Sequence, residues 1–319
     1  MTSAQRIDVH HHPSTPAYFS AHEARGLEPT VIHPWTPERT LAMMDEGGCT
    51  TSILSLPHAV DVWGDAQSTR DRERSRALAR DWNEMMARLA ADHPGRFGVF
   101  ATVPMLDVEA SLAEATYALD VLGADGVFLM TNIGDRWIGD RHYWPFFEEL
   151  NRRKVTVYTH PVAPNCTAGM YEEFNDSVIE FGTDTTRAIA KLLFTGAAAK
   201  YPDINWIFSH AGGTMPFITE RFLRAHMYAK ADVKGTMPHG VMHELQKLYY
   251  DTAQAAHAWA MSSLTKLVPT SQIVFGTDYP YRTAGETAGM LRECGCFDDA
   301  ALRAIDIDNA LRILPQWRK

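Results

Sequence analysis

The strongest constraint on the fold is an alternation of short apolar runs with longer segments of helical periodicity, repeated eight times along the chain. The helical segments include RDRERSRALARDWNEMMARLAADH and TTRAIAKLLFTGAAAKYP. The apolar runs read, in order, IDVHH, TSILSL, FGVFATV, GVFLMT, VTVYTH, INWIFSH, LYYDTA and QIVFGTD. Continuous apolar runs of this kind are typical of parallel strands that are buried on both faces.

Eight strand–helix units in 319 residues predict an α/β fold, a (β/α)8 TIM barrel that forms one domain over residues 1–319. Additional helices are expected at the C-terminal end, from AGETAGMLREC to NALRILPQW. An open doubly wound sheet is the alternative, but HHHPSTP occupies the place where that fold carries a glycine-rich phosphate turn. Long connections at residues 13–35 and 161–183 are expected to contribute to a pocket.

Composition narrows the range of partners. The net charge of −9, with scattered Lys and Arg, argues against a nucleic-acid partner. No apolar run approaches the roughly 20 residues that span a bilayer, and the N-terminus lacks a signal-like segment, so no membrane partner is expected. The four cysteines are too dispersed for a disulfide framework, which predicts a cytoplasmic location.

The first apolar run ends in three consecutive histidines. Because successive side chains of a strand point to opposite faces, His10 and His12 share one face, and His11 lies on the other. Two imidazoles on one face suit a metal ion, although an H-x-H pattern alone fits equally well with histidines that cap a strand.

Polar residues also terminate three later runs: His160 in YTHP, His210 in FSHAGG and Asp278 in FGTDYP. Barrel enzymes carry their catalytic groups at the C-terminal ends of the strands, so all of these side chains are predicted to meet at one mouth. A barrel that only bound a ligand or partner would be expected to lack such a set.

This combination resembles the amidohydrolase superfamily, whose members place H-x-H on strand one, single histidines on strands five and six, and aspartate on strand eight. IDVHHHP, HP at His160, SHAGGTMPF and GTDYP resemble the branch that contains aminocarboxymuconate semialdehyde decarboxylase and salicylate-type decarboxylases. The segment GDRWIGDRHYWPFFEELNRRKVTVYTHP is similar to the 6-methylsalicylate decarboxylases in particular.

The resemblance implies that His10, His12, His160 and Asp278 bind a metal and that His210 is an acid/base beside it. Asp278 is a second candidate for the proton donor. The alternative role for His210 is that of a fifth metal ligand. Strand four ends GVFLMTN without the bridging Lys or Glu of binuclear members, which favours a single ion. Three imidazoles and one carboxylate suit Zn2+, and Mn2+ is also compatible with them.

The resemblance also implies a homodimer, because the arginine eleven positions after His210, here Arg221, reaches the substrate carboxylate in the neighbouring subunit's site. An ordinary surface arginine is the alternative. The family's other substrate arginine follows a W-x-P-E stretch, and here Arg39 lies one position away, with Thr40 in its place. This departure argues against a muconate semialdehyde and favours an aromatic acid with fewer charges.

Three further residues invite roles. His58 and Trp63, after strand two, are predicted to bind substrate. Asp251 ends strand seven, where it either orients His210 or contacts the substrate, and the alternative is a local hydrogen bond to the neighbouring loop. The predicted activity is a carboxy-lyase reaction, the metal-dependent, non-oxidative decarboxylation of a small hydroxyaromatic acid such as a substituted salicylate. The alternative is a hydrolase or hydratase that acts on a lactone, an amide or an unsaturated acid.

Overall fold

The computed structural model describes residues 5–15, 35–57, 66–134, 136–228 and 235–318. Within these ranges the main sheet has eight strands, each parallel to its neighbour, in an order that follows the chain. They are β1 (Arg6–His11), β2 (Cys49–Leu54), β3 (Phe97–Thr102), β4 (Gly126–Met130), β5 (Thr156–His160), β6 (Asn205–Phe208), β7 (Tyr249–Asp251) and β8 (Ile273–Val274). The predicted eight-stranded α/β barrel is therefore confirmed.

The barrel closes between its first and last strands. The amide of Val9 donates to the carbonyl of Phe275 at 3.0 Å, and the amide of Asp278 donates to the carbonyl of His10 at 2.9 Å. The second of these bonds lies just beyond β8, so the backbone of Asp278 is fixed directly against the end of β1. Two predicted ligands from opposite ends of the chain thereby become neighbours.

A buried carboxylate reinforces this seam. Asp8 is fully buried, and its Oδ1 accepts hydrogen bonds from the amides of His10 at 3.1 Å and Thr277 at 3.0 Å. Its Oδ2 accepts a bond from the Thr277 hydroxyl at 2.7 Å. A buried carboxylate is tolerated when such donors compensate its lost hydration. Asp8 thus ties the residue before Asp278 to β1.

Helices surround the strands. In chain order they are α1 (Pro37–Gly47), α2 (Thr69–Asp92), α3 (Val108–Asp120), α4 (Trp144–Arg153), α5 (Ser177–Phe194), α6 (Ala197–Lys200), α7 (Met215–Leu223), α8 (Val241–Lys247), α9 (Ala258–Leu267), α10 (Ala284–Glu293), α11 (Asp299–Arg303) and α12 (Ala310–Ile313). The last three confirm the predicted C-terminal helices. None of the described helices combines the length and the apolar character needed to cross a membrane.

One helix boundary differs from the prediction. Helix α5 begins at Ser177, within the stretch expected to be a long loop. Val178 and Ile179 are exposed in its first turn. The periodic apolar pattern that signals a helix therefore begins only farther along the chain.

A short hairpin of strands Asn132–Ile133 and Arg136–Trp137 follows β4.

An aromatic layer fills the barrel below its mouth. Tyr158 is fully buried, and its ring stacks on Phe100 and Phe128 with centroids 5.5 Å and 6.0 Å away. The same ring meets the imidazole of His10 edge-on at 5.2 Å. Burying one such side chain stabilises a fold by about 2 to 3 kcal/mol, and here the layer also forms a rigid floor under His10.

Candidate metal centre

The four predicted metal ligands meet at the C-terminal mouth of the barrel. All are buried, and one donor atom from each lies within 4.8 Å of the others: His10, His12, His160 and Asp278. The Nε2 atoms of His10 and His12 are 2.9 Å apart. Strand alternation does bring these two imidazoles to one face, as predicted.

Each of the three imidazoles has an acceptor at Nδ1. These contacts are His10 to Asp251 Oδ2 at 2.7 Å, His12 to the Ser55 carbonyl at 3.1 Å, and His160 to the Pro161 carbonyl at 2.9 Å. An acceptor at Nδ1 places the proton there and leaves the Nε2 lone pair for a cation. The tautomers that these partners favour are those of metal-binding histidines.

The two oxygens of Asp278 have different surroundings. Its Oδ1 lies 3.2 Å from Nε2 of His10 and 3.3 Å from Nε2 of His12. This oxygen is buried and accepts no hydrogen bond from the described residues. Its Oδ2 accepts a bond from Gln254 Nε2 at 3.1 Å and lies 3.4 Å from His210 Nε2. A carboxylate oxygen and imidazole lone pairs thus converge on one point, and this donor set fits a divalent cation.

Electrostatics favour a positive charge at the same point. Burial alone would lower the pKa of His10, but the carboxylates of Asp251 and Asp278 raise it to about 10. Burial and the neighbouring histidines hold the pKa of His160 well below its usual value. Burial opposes ionisation of Asp278, yet the charge on His10 and the nearby imidazoles lower its pKa well below the usual range. Without a metal ion His10 thus carries the positive charge of the cluster, and a bound cation would replace its Nε2 proton. Asp278 is already ionised and His160 already neutral, as metal ligation needs.

Unusual backbone conformations surround Asp278. The φ angles are 53° for His210, 52° for Gln254 and 65° for Asp278, all in the left-handed region. Each such conformation costs a non-glycine residue on the order of 1 kcal/mol. Strained backbone of this kind concentrates at functional sites, and these three residues meet at a single carboxylate oxygen.

Asp251 joins two parts of the site. It is fully buried, and its Oδ2 holds Nδ1 of His10. Its Oδ1 accepts hydrogen bonds from the amides of His210 at 2.8 Å and Ala253 at 3.0 Å. The bond to the neighbouring loop that was considered for Asp251 is therefore present, and the bond to His210 holds the backbone of that residue. The contact with His10 was missed.

His210 lies beside the cluster. Its side chain is 12% exposed, and its ring centroid is 5.1 Å from that of His10 and 5.5 Å from that of His160. Phe181 of α5 lies nearly parallel to this ring, at 6.4 Å and 14°, and edge-on to His160 at 5.6 Å. Sequence reasoning missed Phe181, because the residue falls in the stretch predicted as a loop, and it missed Gln254 as well.

The two predicted substrate residues that the structure describes are not brought into this cluster. Arg221 is exposed in the last turn of α7, and Arg39 is exposed in the first turn of α1. His58 and Trp63 lie outside the described residues. His11 is buried away from the ligands and stacks on Tyr279 at 4.7 Å.

The sequence model of the amidohydrolase family matches residues 7–316. The chain belongs to the amidohydrolase family. Decarboxylase yanB of Aspergillus niger is 32% identical, covering 98% of this chain and 88% of its own length. The 6-methylsalicylic acid decarboxylase acuB of Aspergillus aculeatus is 30% identical, covering 98% of this chain and 97% of its own length.

A solved decarboxylase structure has the same fold. A dihydroxybenzoic acid decarboxylase from a Polaromonas species, with bound manganese and the inhibitor 2-nitroresorcinol, superposes with a TM-score of 0.80 at 23% identity. The match covers 100% of this chain and 98% of that chain. The family match and the Aspergillus decarboxylases confirm the resemblance to the amidohydrolases and to their salicylate-type decarboxylase branch, and the solved structure shows the same fold.

Replacing His12 by asparagine should abolish stoichiometric metal binding, because the substitution removes one of the four clustered donors. Metal analysis of the purified variant after dialysis against metal-free buffer provides the measurement. His11→Asn is the matched control: it alters the adjacent histidine on the opposite face and should retain about one equivalent of metal. Equal metal loss from both variants would contradict the ligand assignment.

Proposed function

We propose that the chain is a metal-dependent, non-oxidative decarboxylase of a small hydroxyaromatic acid, such as 6-methylsalicylate or another substituted salicylate. The observation that carries the proposal is the buried cluster of three histidines and one aspartate with His210 beside it. Relatives that align with nearly the whole chain are named as decarboxylases, one of them for 6-methylsalicylic acid. The site and the relatives support the same chemistry.

In this proposal His10, His12 and His160 hold the metal through Nε2, and Asp278 holds it through Oδ1. When bound, the ion would supply a Lewis acid for the substrate carboxylate and the adjacent hydroxyl. We assign Zn2+ first, because three imidazoles with one carboxylate suit it. Mn2+ is the alternative, and manganese is present in the Polaromonas relative.

Decarboxylation requires a proton at the ring carbon that bears the carboxylate. The carbon–carbon bond to the carboxylate then breaks, its electron pair restores the aromatic ring, and carbon dioxide leaves. We assign the proton transfer to His210, whose Nε2 lies 3.4 Å from Asp278 Oδ2 and whose partial exposure allows reprotonation from solvent. Asp278 is the second candidate, but its lowered pKa favours the ionised, metal-binding form.

The surroundings of His210 suit a flat substrate. Phe181 and His210 present nearly parallel rings at the mouth of the barrel, and aromatic side chains stack favourably on aromatic ligands. This wall supports an aromatic acid as the substrate class.

His58, Trp63 and Arg39 remain predicted substrate contacts, and a cytoplasmic location remains a prediction.

We also propose that the chain forms a homodimer in which Arg221 binds the substrate carboxylate in the partner's site. Arg221 is exposed on α7, and so is Phe217, at 87%. Trp259, on the α9 helix that packs against α7, is 85% exposed. Large aromatic side chains exposed together are typical of a surface that another subunit covers.

A panel of substituted hydroxybenzoates that includes 6-methylsalicylate should yield carbon dioxide and the corresponding phenol. A strong chelator should abolish the activity, and added Zn2+ or Mn2+ should restore it, because the reaction needs the cation. Carbon dioxide release is measured directly. Cleavage of lactones or amides, with no carbon dioxide from any hydroxybenzoate, would refute the proposal in favour of a hydrolase.

Substituting His210 by alanine should leave the metal content unchanged and lower kcat by at least about 100-fold, because the proton-transferring group is lost. Metal analysis and steady-state kinetics on one preparation test both parts. The exposed His226 provides a control, and His226→Ala should alter neither quantity. If His210→Ala loses its metal, His210 is a ligand and this assignment is wrong.

Subunit complementation tests Arg221. Arg221→Ala and His210→Ala should each be nearly inactive, but a mixed dimer contains one site with both side chains intact. Unfolding and refolding the two variants together in equal amounts should restore about a quarter of wild-type activity, as expected for random pairing. If Arg221 serves the site of its own subunit, the mixture stays inactive.

A further inference from the structure

Asp184 on α5 is a fully buried carboxylate that the proposed reaction does not use. It accepts hydrogen bonds from the Thr131 hydroxyl, from Asn132 Nδ2 at 2.8 Å and from Trp137 Nε1 at 2.6 Å. Thr131 and Asn132 follow β4 directly, and Trp137 lies in the second strand of the hairpin that begins at Asn132. A helix thus places a carboxylate at the end of β4, although the strand itself carries none there.

Burial makes this carboxylate costly. It raises the pKa of Asp184, against the effect of the three donors and of the Arg187 guanidinium, whose Nη1 lies 3.6 Å from Asp184 Oδ1. An ion taken out of water costs several kcal/mol unless hydrogen bonds satisfy its oxygens. The hydrogen bonds to Asp184 therefore hold Thr131, Asn132 and Trp137 in fixed positions. The other contacts of two of these residues indicate the role of the carboxylate.

Two of those donors also hold the backbone around His160. The amide of Thr131 donates to the carbonyl of His160 at 3.0 Å, and Asn132 Nδ2 donates to the carbonyl of Val162 at 3.2 Å. Between these two points lies the carbonyl of Pro161, which accepts the hydrogen bond from Nδ1 of His160. The segment that orients the His160 imidazole is thus held at both ends.

Helix α5 restrains His160 in a second way. Phe181, three positions before Asp184 on the same helix, places its ring edge-on to the His160 imidazole at 5.6 Å. Residues three apart lie on the same side of a helix. The helix therefore supports the imidazole with Phe181 and its backbone with Asp184.

We infer that Asp184 is a positioning residue for the metal ligand His160. By ordering Thr131 and Asn132, it fixes the backbone of residues 160–162, and with it the direction of the imidazole and the nitrogen that carries the proton. The inference rests on the proposed function to the extent that His160 must bind the metal. Asp184 itself lies outside the ligand cluster.

The test is the metal affinity of the full-length, metal-loaded protein, measured by competition with a chelator. Asp184→Asn keeps the shape of the side chain but turns one acceptor oxygen into a donor, which faces either the donors of Thr131 and Asn132 or the donor of Trp137. Metal affinity should fall by about 10- to 100-fold, the usual range when support of a ligand is lost. Asn132→Ala removes the hydrogen bond to the Val162 carbonyl and should weaken metal binding in the same way. This second variant tests the inference even if Asp184→Asn does not fold.

The double variant shows whether the two residues act together. If Asp184 acts through Asn132, combining the substitutions should weaken metal binding no more than the stronger single substitution. Glu180→Gln is the matched control, because Glu180 also pairs with Arg187, at 2.7 Å, but contacts Tyr171 and neither Thr131 nor Asn132. Its metal affinity should equal that of the wild type.

Thermal unfolding of the metal-free variants separates positioning from general stability. Lower stability with unchanged metal affinity would assign Asp184 a purely structural role and overturn the inference, as would additive effects in the double variant. If wild-type protein binds no metal, the proposed function fails together with the inference. If wild type and Asp184→Asn bind metal equally well, only the inference fails.

Discussion

The closing seam of the barrel is the interaction on which the site depends. The backbone bond from Asp278 to His10 and the buried carboxylate of Asp8 fix β1 against the residues after β8. Because side chains alternate along a strand, a slip of one residue at this seam would turn His11 toward the mouth and His10 and His12 away from it. The ligand set exists only in the register that Asp8 and the closing bonds select.

The fold and the meeting of polar strand ends at one mouth could be predicted because both follow from local patterns, whereas the choice of metal ligands among them came from the family resemblance. Apolar runs mark the buried strands, and a polar residue at the end of such a run, as at His160 or Asp278, lies at the barrel mouth whatever its distant partners are. The start of α5 was missed for an equally physical reason. Val178 and Ile179 are exposed there, so the first turn lacks an apolar face toward the core, and Phe181 was missed with it.

The contacts of Asp184, and the contact of Asp251 with His10, could not be predicted from such patterns. Both aspartates accept hydrogen bonds from groups that are distant in sequence, and an isolated aspartate carries no sign of its future partners. Gln254 has a left-handed backbone conformation. A glycine at this position would have indicated that conformation in the sequence, but a glutamine does not. The donors that these side chains contact are determined by how the folded chain packs, and the neighbouring residues in the sequence do not indicate them.

The two oxygens of the Asp278 carboxylate contact different partners, and this arrangement has a thermodynamic consequence. One oxygen faces the imidazoles of His10 and His12, while the other lies against His210 and Gln254. In the proposed mechanism the proton donor and the cation would contact opposite oxygens of this one carboxylate. Ligands that share a carboxylate in this way do not bind independently, because linkage requires each to change the affinity of the other by the same factor. A single side chain would thus couple the proposed acid to the proposed metal site.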